Sequence, residues 1–177
     1  ELTAEHAFKV GLFLGRYYEN GHCARIVIGK DTRRSSYMFE AALSAGITAA
    51  GADAYLLHVT TTPSVSYVAR TEDFDCGIMI SASHNPFHDN GIKLINANGE
   101  KMEEEVIDAV EAYLDGRGEI PYATGGDIGR IVDYAAGRNR YIGYLISLAT
   151  VSFRGMKVGL DCANGSNWQI AKSVFDA

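Results

Sequence analysis

Residues 81–93 gather Ser83, His84, Asn85, Asp89, Asn90 and Lys93 into one short stretch. These supply a hydroxyl, an imidazole, two amides, a carboxylate and an ammonium. An apolar run, Gly77 to Ile80, leads straight into the stretch, and Ile92 to Ile95 leads out of it. A serine hydroxyl is a weak nucleophile that needs activation. As a phosphate carrier it would hold about −1.5 to −2 charges that must be neutralised. Phosphoryl transfer depends mainly on positioning and electrostatic stabilisation, with cations and backbone N–H groups as natural supports. His84 is adjacent to the serine and Lys93 lies across the loop. Pro86 fixes one backbone torsion, and Asn90-Gly91 turns the chain back. By residue type alone, the stretch reads equally as an ordinary polar turn between two strands.

A second candidate is Lys30 to Ser35, a strand–loop–helix segment of the kind that can cradle a phosphate at a helix N-terminus. Its Arg33 could assist the electrostatics or serve as a structural ion-pair partner. The Gly-x4-Gly-Lys-Ser/Thr pattern is missing, which argues against nucleotide binding. His84 and His88 have a spacing that binds zinc on a helix, but Pro86 between them makes the segment a loop. His6, His22 and His58 stand alone and read as structural or solvated. Asn164-Gly165-Ser166 reads as a helix cap, and the tyrosines of Tyr134 to Tyr144 as a half-buried helix face.

The elements that must position these groups alternate. Thr3 can cap a first helix, with Glu5 in its first turn. Ala24 to Gly29 is a short apolar strand. Ser35 or Ser36 caps a helix that ends at Gly51. Asp53 to Val59 is a second strand. Thr62-Pro63 starts a helix running to about Arg70. Asp75 to Ile80 and Ile92 to Ile95 are the third and fourth strands. Alternation of this kind implies crossovers and a largely parallel sheet. The loop of about ten residues between strands three and four is too short for a helical crossover, so that pair should be antiparallel. A three-layer α/β/α fold with a mixed, mostly parallel four-stranded sheet follows. Further helices are expected from Glu103 to about Gly116 and from Asp133 to Thr150, with a loop between them. Met156 to Leu160 reads as a new strand, followed by a loop and a helix. Arg25 to Asp31 and Met156 to Asp161 are both strands ending in Asp before a loop and a helix, a weak repeat. Residues 1–153 then form one domain, and residues 154–177 begin a second of similar build.

The chain has 177 residues, 47% hydrophobic and 21% charged, so it can bury a core. Its net charge of −6 disfavours a nucleic-acid backbone or an anionic membrane as partner. Any anion site must be a local basic pocket. Cys23, Cys76 and Cys162 are odd in number and widely spaced; they read as buried free thiols in a reducing, cytoplasmic setting. No apolar stretch approaches the length of a membrane span, and no signal peptide is visible. The chain starts at Glu1 rather than Met and stops at Ala177 inside a helical pattern, so both ends read as cuts through a longer protein.

The run Ser81-Ala82-Ser83-His84-Asn85-Pro86, with Asp89-Asn90-Gly91-Ile92-Lys93 after it, closely resembles the active-site serine loop of the α-D-phosphohexomutases. Phe87 and the Asp89 to Lys93 wording are most similar to the branch acting on glucosamine phosphates. Gly29 to Ser35 and Asp161 to Gly165 match further family segments in order and spacing. The resemblance implies interconversion of sugar 6-phosphates and 1-phosphates through a phosphoserine at Ser83 and a bisphosphorylated sugar. It implies His84 hydrogen-bonding the phosphate, Lys93 supporting charge or moving a proton, and Arg33 assisting. It also implies Mg²⁺ on a phosphoserine oxygen and on three aspartates of a later loop. That loop, the sugar-selecting loop, the phosphate-binding domain and the family's Gly-rich, Arg-containing opening segment are missing from this chain. The piece alone is therefore expected not to turn over, and its partners are a phosphosugar and the remaining domains. Open alternatives are another sugar specificity within the family and a non-catalytic phosphosugar-binding domain.

Overall fold

The computed structural model describes residues 2–177; Glu1, placed before the first helix in the sequence reading, lies outside them. The element order is α1 (Ala4–Tyr17), β1 (Arg25–Lys30), α2 (Arg34–Ala49), β2 (Asp53–Val59), α3 (Thr62–Thr71), β3 (Cys76–Ile80), β4 (Ile92–Asn96), α4 (Glu104–Leu114), β5 (Ile131–Asp133), α5 (Ala135–Ser147) and α6 (Trp168–Asp176). The sheet order is β4-β3-β1-β2-β5. β1 is parallel to β2 and β3, β2 is parallel to β5, and β4 is antiparallel to β3.

Strand alternation sets the layers. Ile26 and Ile28, with Ile78 and Ile80, pack against α1, α2 and α4, while Val27 and Met79 pack against α3 and the tyrosines beside it. α1 and α2 cross with backbone nearly touching. A Cβ on Gly11 would lie 2.4 Å from the Leu43 carbonyl oxygen, and one on Gly46 would lie 2.0 Å from that of Phe8. Thr3 caps α1 as expected, through a capping box completed by His6.

Six points differ from the sequence expectation. The sheet has a fifth strand, because Asp53, buried at the start of β2, accepts from the Arg130 backbone N–H at 2.8 Å and from its guanidinium at 2.6 Å. That clasp lays three residues beside β2, too few for a visible period. Burial works against the charge on Asp53, but the Arg130 bonds more than offset it and hold the carboxyl below its usual range. Neither Ser35 nor Ser36 caps α2: Arg33 is the N-cap residue, and the Ser36 hydroxyl turns back to Asp31 Oδ1 at 2.6 Å. Thr61, not Thr62, is the N-cap residue of α3. Residues 156–160 form no strand, since a strand needs a ladder and no partner lies beside them among the described residues. The helix after them starts at Trp168 with Asn167 as N-cap residue, so Asn164 to Ser166 is loop. Of the three free thiols only Cys76 is buried; Cys23 is exposed and Cys162 half-buried.

No helix among the described residues is long and apolar enough to cross a membrane.

Candidate active site

The connectivity points to one place on the sheet. α2 carries the chain from β1 to β2 on one side; α3 carries it back across β1 to β3 on the other. In such sheets ligands bind beyond the strand C-termini, where the winding reverses. Here that is the gap between the loops after β1 and β3. Those loops carry Asp31 to Arg33 and Ser81 to Asn90.

The two loops are tied at the root. The Asp31 N–H donates to the Ile80 carbonyl at 2.9 Å, and the Ser81 N–H to the Gly91 carbonyl at 2.9 Å. Gly91 has to be glycine, because a Cβ would stand 2.7 Å from the Ser81 carbonyl oxygen. Ser83 is exposed and has φ +56°, a left-handed conformation that costs a non-glycine residue about 1–3 kcal/mol. Several bonds hold it there. The Ser83 N–H donates to Ser81 Oγ at 3.1 Å, and the Asn85 N–H to the Ala82 carbonyl at 3.2 Å. Arg33 Nη2 donates to the carbonyls of Asn85 at 2.7 Å and of Ser83 at 3.3 Å. Arg33 Nη1 forms an ion pair with Asp31, whose side chain is 9% exposed.

Lys93 Nζ donates to Ser83 Oγ at 2.6 Å. Lys93 stands on β4 opposite Met79, one residue in from the Ile80–Ile92 pair that closes the ladder. A half-buried ammonium thus sits against the hydroxyl. The result is a nucleophile-sized oxygen, pointed by a constrained backbone, with one cation on it and a second cation bracing its loop.

Of the expected residues, Ser83, Lys93 and Arg33 come together. His84 does not join them by any hydrogen bond among the described residues; it is exposed beside Ser83. His88 lies 3.7 Å from Asp89 in an exposed pair. Two contributors went unread in the sequence. Asp31 is the buried anchor of Arg33, and its Oδ1 also accepts the Arg33 backbone N–H at 3.1 Å; the Asp-x-Arg spacing was the available signal. Thr32 Oγ1 donates to the Asn164 carbonyl at 2.7 Å, bringing the 161–166 loop to the site. Asp161 repeats the Asp31 turn, accepting from the Ala163 N–H at 3.0 Å. Between these loops lies a cleft of about 290 Å³ lined by Arg33, Ser83, Phe87, Asn164 and neighbouring polar groups.

A larger cleft of about 670 Å³ lies along β4 and α4 and is mostly apolar, with Lys93, Glu100, Lys101 and Glu111 among its lining residues. For the implied magnesium, no group of three or more His, Cys, Asp or Glu among the described residues could hold a metal ion. Asp31, the carboxylate nearest in sequence to the cleft's cations, is spent on Arg33 and Ser36. These residues alone do not make a magnesium site.

Residues 1–120 match the family described as phosphoglucomutase/phosphomannomutase, alpha/beta/alpha domain I. The chain is 74% identical over 180 aligned residues to a phosphoglucosamine mutase of Lachnospira eligens and 68% identical over 177 to one of Lachnoclostridium phytofermentans. It covers 99% of itself and 40% of each of those proteins, so it spans well under half of their length. A crystal structure of a phosphoglucomutase/phosphomannomutase family protein from Burkholderia thailandensis superposes with a TM-score of 0.72 at 22% identity, over 99% of this chain and 38% of that one.

Proposed function

The chain belongs to the phosphoglucomutase/phosphomannomutase family, the α-D-phosphohexomutases, and on that premise we propose that it is the serine-bearing part of a phosphoglucosamine mutase, an isomerase. The observation that carries this reading is the 2.6 Å contact from the Lys93 ammonium to Ser83 Oγ, on a loop held left-handed at the strand ends. The names of the two relatives above support the amino sugar.

In the proposed cycle Ser83 carries a phosphoryl group at rest. A hydroxyl of glucosamine 6-phosphate attacks that phosphorus; the Oγ–P bond breaks, and the hydroxyl proton ends on Ser83 Oγ. A bisphosphorylated sugar and free Ser83 result. After the sugar turns, Ser83 Oγ attacks the other phosphorus; the bond from that phosphorus to the sugar oxygen breaks, the Ser83 hydroxyl proton passes to that oxygen, and glucosamine 1-phosphate is left. Lys93 would stabilise the oxygen as it leaves and as it attacks. Arg33 would keep the loop in place, with its charge nearby. His84, exposed beside Ser83, would donate to a phosphate oxygen. Magnesium would supply further charge neutralisation, with its protein carboxylates outside this chain, and no step above is routed through it. Domain boundaries near residue 153, a cytoplasmic setting and completion of the site by further domains belong to the same proposal.

A rival sugar is left open by the matching family description, phosphoglucomutase/phosphomannomutase. Mass spectrometry of the full-length protein tests the carrier, and turnover of glucosamine 6-phosphate against mannose 1-phosphate and glucose 1-phosphate tests the sugar. Phosphate on Ser83, an inactive Ser83→Ala protein and preference for the amino sugar are expected. An active Ser83→Ala protein would remove Ser83 as carrier; preference for mannose or glucose phosphate would change the substrate.

A further inference from the structure

Phe87 is 84% exposed, more than any other large hydrophobic side chain among the described residues. It is not on a ragged loop. The Asp89 N–H donates to the Pro86 carbonyl at 3.0 Å, so Phe87 occupies the corner of a closed turn. The base of that turn is pinned by Arg33 Nη2 on the Asn85 carbonyl at 2.7 Å. The His88 ring stands nearly perpendicular to the Phe87 ring, at 80° and 5.4 Å between centroids. Fixing an apolar ring in water gains nothing for the fold by itself.

The ring lines the same cleft as Ser83 and Arg33, and every other side chain lining that cleft is polar or absent. At about 290 Å³ the cleft offers more room than a lone phosphate needs. A phosphate would be served by Lys93 and the loop donors alone, and an aromatic wall contributes nothing to an anion. A phosphorylated pyranose is different: it carries an anion at one end and a face of C–H bonds beyond it. The aromatic face is electron-rich and takes up such polarised C–H groups while removing apolar area from water.

We propose that Phe87 is a substrate-positioning residue, a platform on which the C–H face of the sugar ring rests while the phosphate is held at Ser83. This deepens the mutase reading and rests on it for the identity of the sugar. The ring selects for a hexose phosphate over a bare phosphate or a small phosphorylated acid. Its contribution lies in ground-state and transition-state binding alike, so it appears in KM rather than kcat.

The test uses the full-length protein with Phe87→Ala, Phe87→Tyr and Phe87→Leu. Steady-state kinetics give KM and kcat for glucosamine 6-phosphate, and competition gives the inhibition constant of inorganic phosphate. Calorimetric binding of glucosamine 6-phosphate to the Ser83→Ala protein, with and without Phe87→Ala, reads the contact where no turnover occurs. Loss of an aromatic contact predicts a KM and Kd about tenfold higher for Phe87→Ala. Phe87→Tyr should stay near the parent and Phe87→Leu should fall between. The inhibition constant of inorganic phosphate and the melting temperature should not move. Unchanged sugar binding in Phe87→Ala overturns the platform. So does an equal loss for sugar and inorganic phosphate, which would mean a disturbed loop, or a lowered melting temperature with unchanged KM, which would mean that Phe87 packs against the rest of the protein. If the parent lacks mutase activity, the proposed function fails, and the calorimetric pair still decides the platform.

Discussion

Removing Arg33 should separate bracing from charge. Arg33 makes an ion pair with Asp31 and donates to two carbonyls of the serine loop, at 2.7 and 3.3 Å. The two side chains of the pair are 11% and 9% exposed, so solvent replaces little of what is lost. Arg33→Ala leaves Asp31 with only the Ser36 hydroxyl and one backbone N–H. A hydrogen bond to a charged group contributes about 1.5–3 kcal/mol, and the 3.3 Å contact adds little. Together with the partly orphaned carboxylate, the expected loss is about 2–4 kcal/mol. At roughly 2–4 °C per kcal/mol for a unit of this size, the melting transition should fall by about 5–15 °C. Arg33→Lys keeps the charge but not the fork that reaches three oxygens. It should recover less than half of the stability and little of the activity. The assays are calorimetric melting and mutase turnover of the full-length protein at 50 and 300 mM salt, concentrations about two- to threefold either side of the physiological value. The bracing argument is refuted if neither variant moves the transition while Arg33→Lys restores full activity. Charge alone would then be what Arg33 supplies.

Lys93→Met removes the ammonium from Ser83 Oγ; at an effective dielectric between 20 and 80, a charge about 4 Å away contributes about 1–4 kcal/mol per unit of phosphate charge. Turnover should fall about 10- to 1000-fold with KM changed less, and an unaltered kcat would remove Lys93 from the chemistry. Ser83→Gly should abolish turnover yet stabilise the fold by about 1 kcal/mol, since glycine adopts φ +56° freely; a variant no more stable than Ser83→Ala would count against backbone strain. Gly46→Ala should destabilise by about 2–4 kcal/mol despite better helix propensity, because its Cβ meets the Phe8 carbonyl oxygen at 2.0 Å; urea unfolding checks it, and a neutral result would mean that α1 shifts freely. The hydrogen bond to Asp75 raises the His22 pKa above its ordinary value. That contribution to stability is complete below about pH 6.5, the ordinary histidine value, and disappears as pH rises through the folded pKa. The difference in melting temperature between parent and His22→Asn should therefore shrink from pH 6 to pH 9, and a constant difference would refute the linkage.

The parts legible in the sequence were those with a period or a punctuating residue. β2 reads off at Asp53 and Val59, and the short loop before β4 correctly forces an antiparallel pair. The parts that were not legible depend on distant partners. β5 is three residues with no alternation to detect, and it exists because Asp53 clasps Arg130. Met156, Val158 and Leu160 alternate properly but have no neighbouring strand among the described residues, and pattern without a ladder gives no strand. Ser35 and Ser36 have the composition of a cap, yet the Asp31 carboxylate takes the Ser36 hydroxyl first. In the site, the serine was visible from its loop and Arg33 as a possible ion-pair partner, while the identity of that partner, Asp31, depends on a side-chain direction that residue types do not give.

The orientation of β4 explains why Lys93 can reach Ser83 at all. Parallel strands place their C-termini at one edge of the sheet, and everything entering the ladder there must come from a strand running the other way. β3 ends at Ile80 and β4 begins opposite it at Ile92. The second residue of an antiparallel β4 is therefore one step below the loop that β3 has just launched. A parallel β4 reached through a helix would have put its second residue at the far edge, a strand length away. The short polar loop thus does two jobs at once. It is too short to permit a crossover, which reverses β4, and reversal delivers a lysine to the hydroxyl the loop carries. Insertions between Asn85 and Asn90 would lengthen the turn without moving Lys93, because the Ser81–Gly91 hydrogen bond fixes the root independently of the tip.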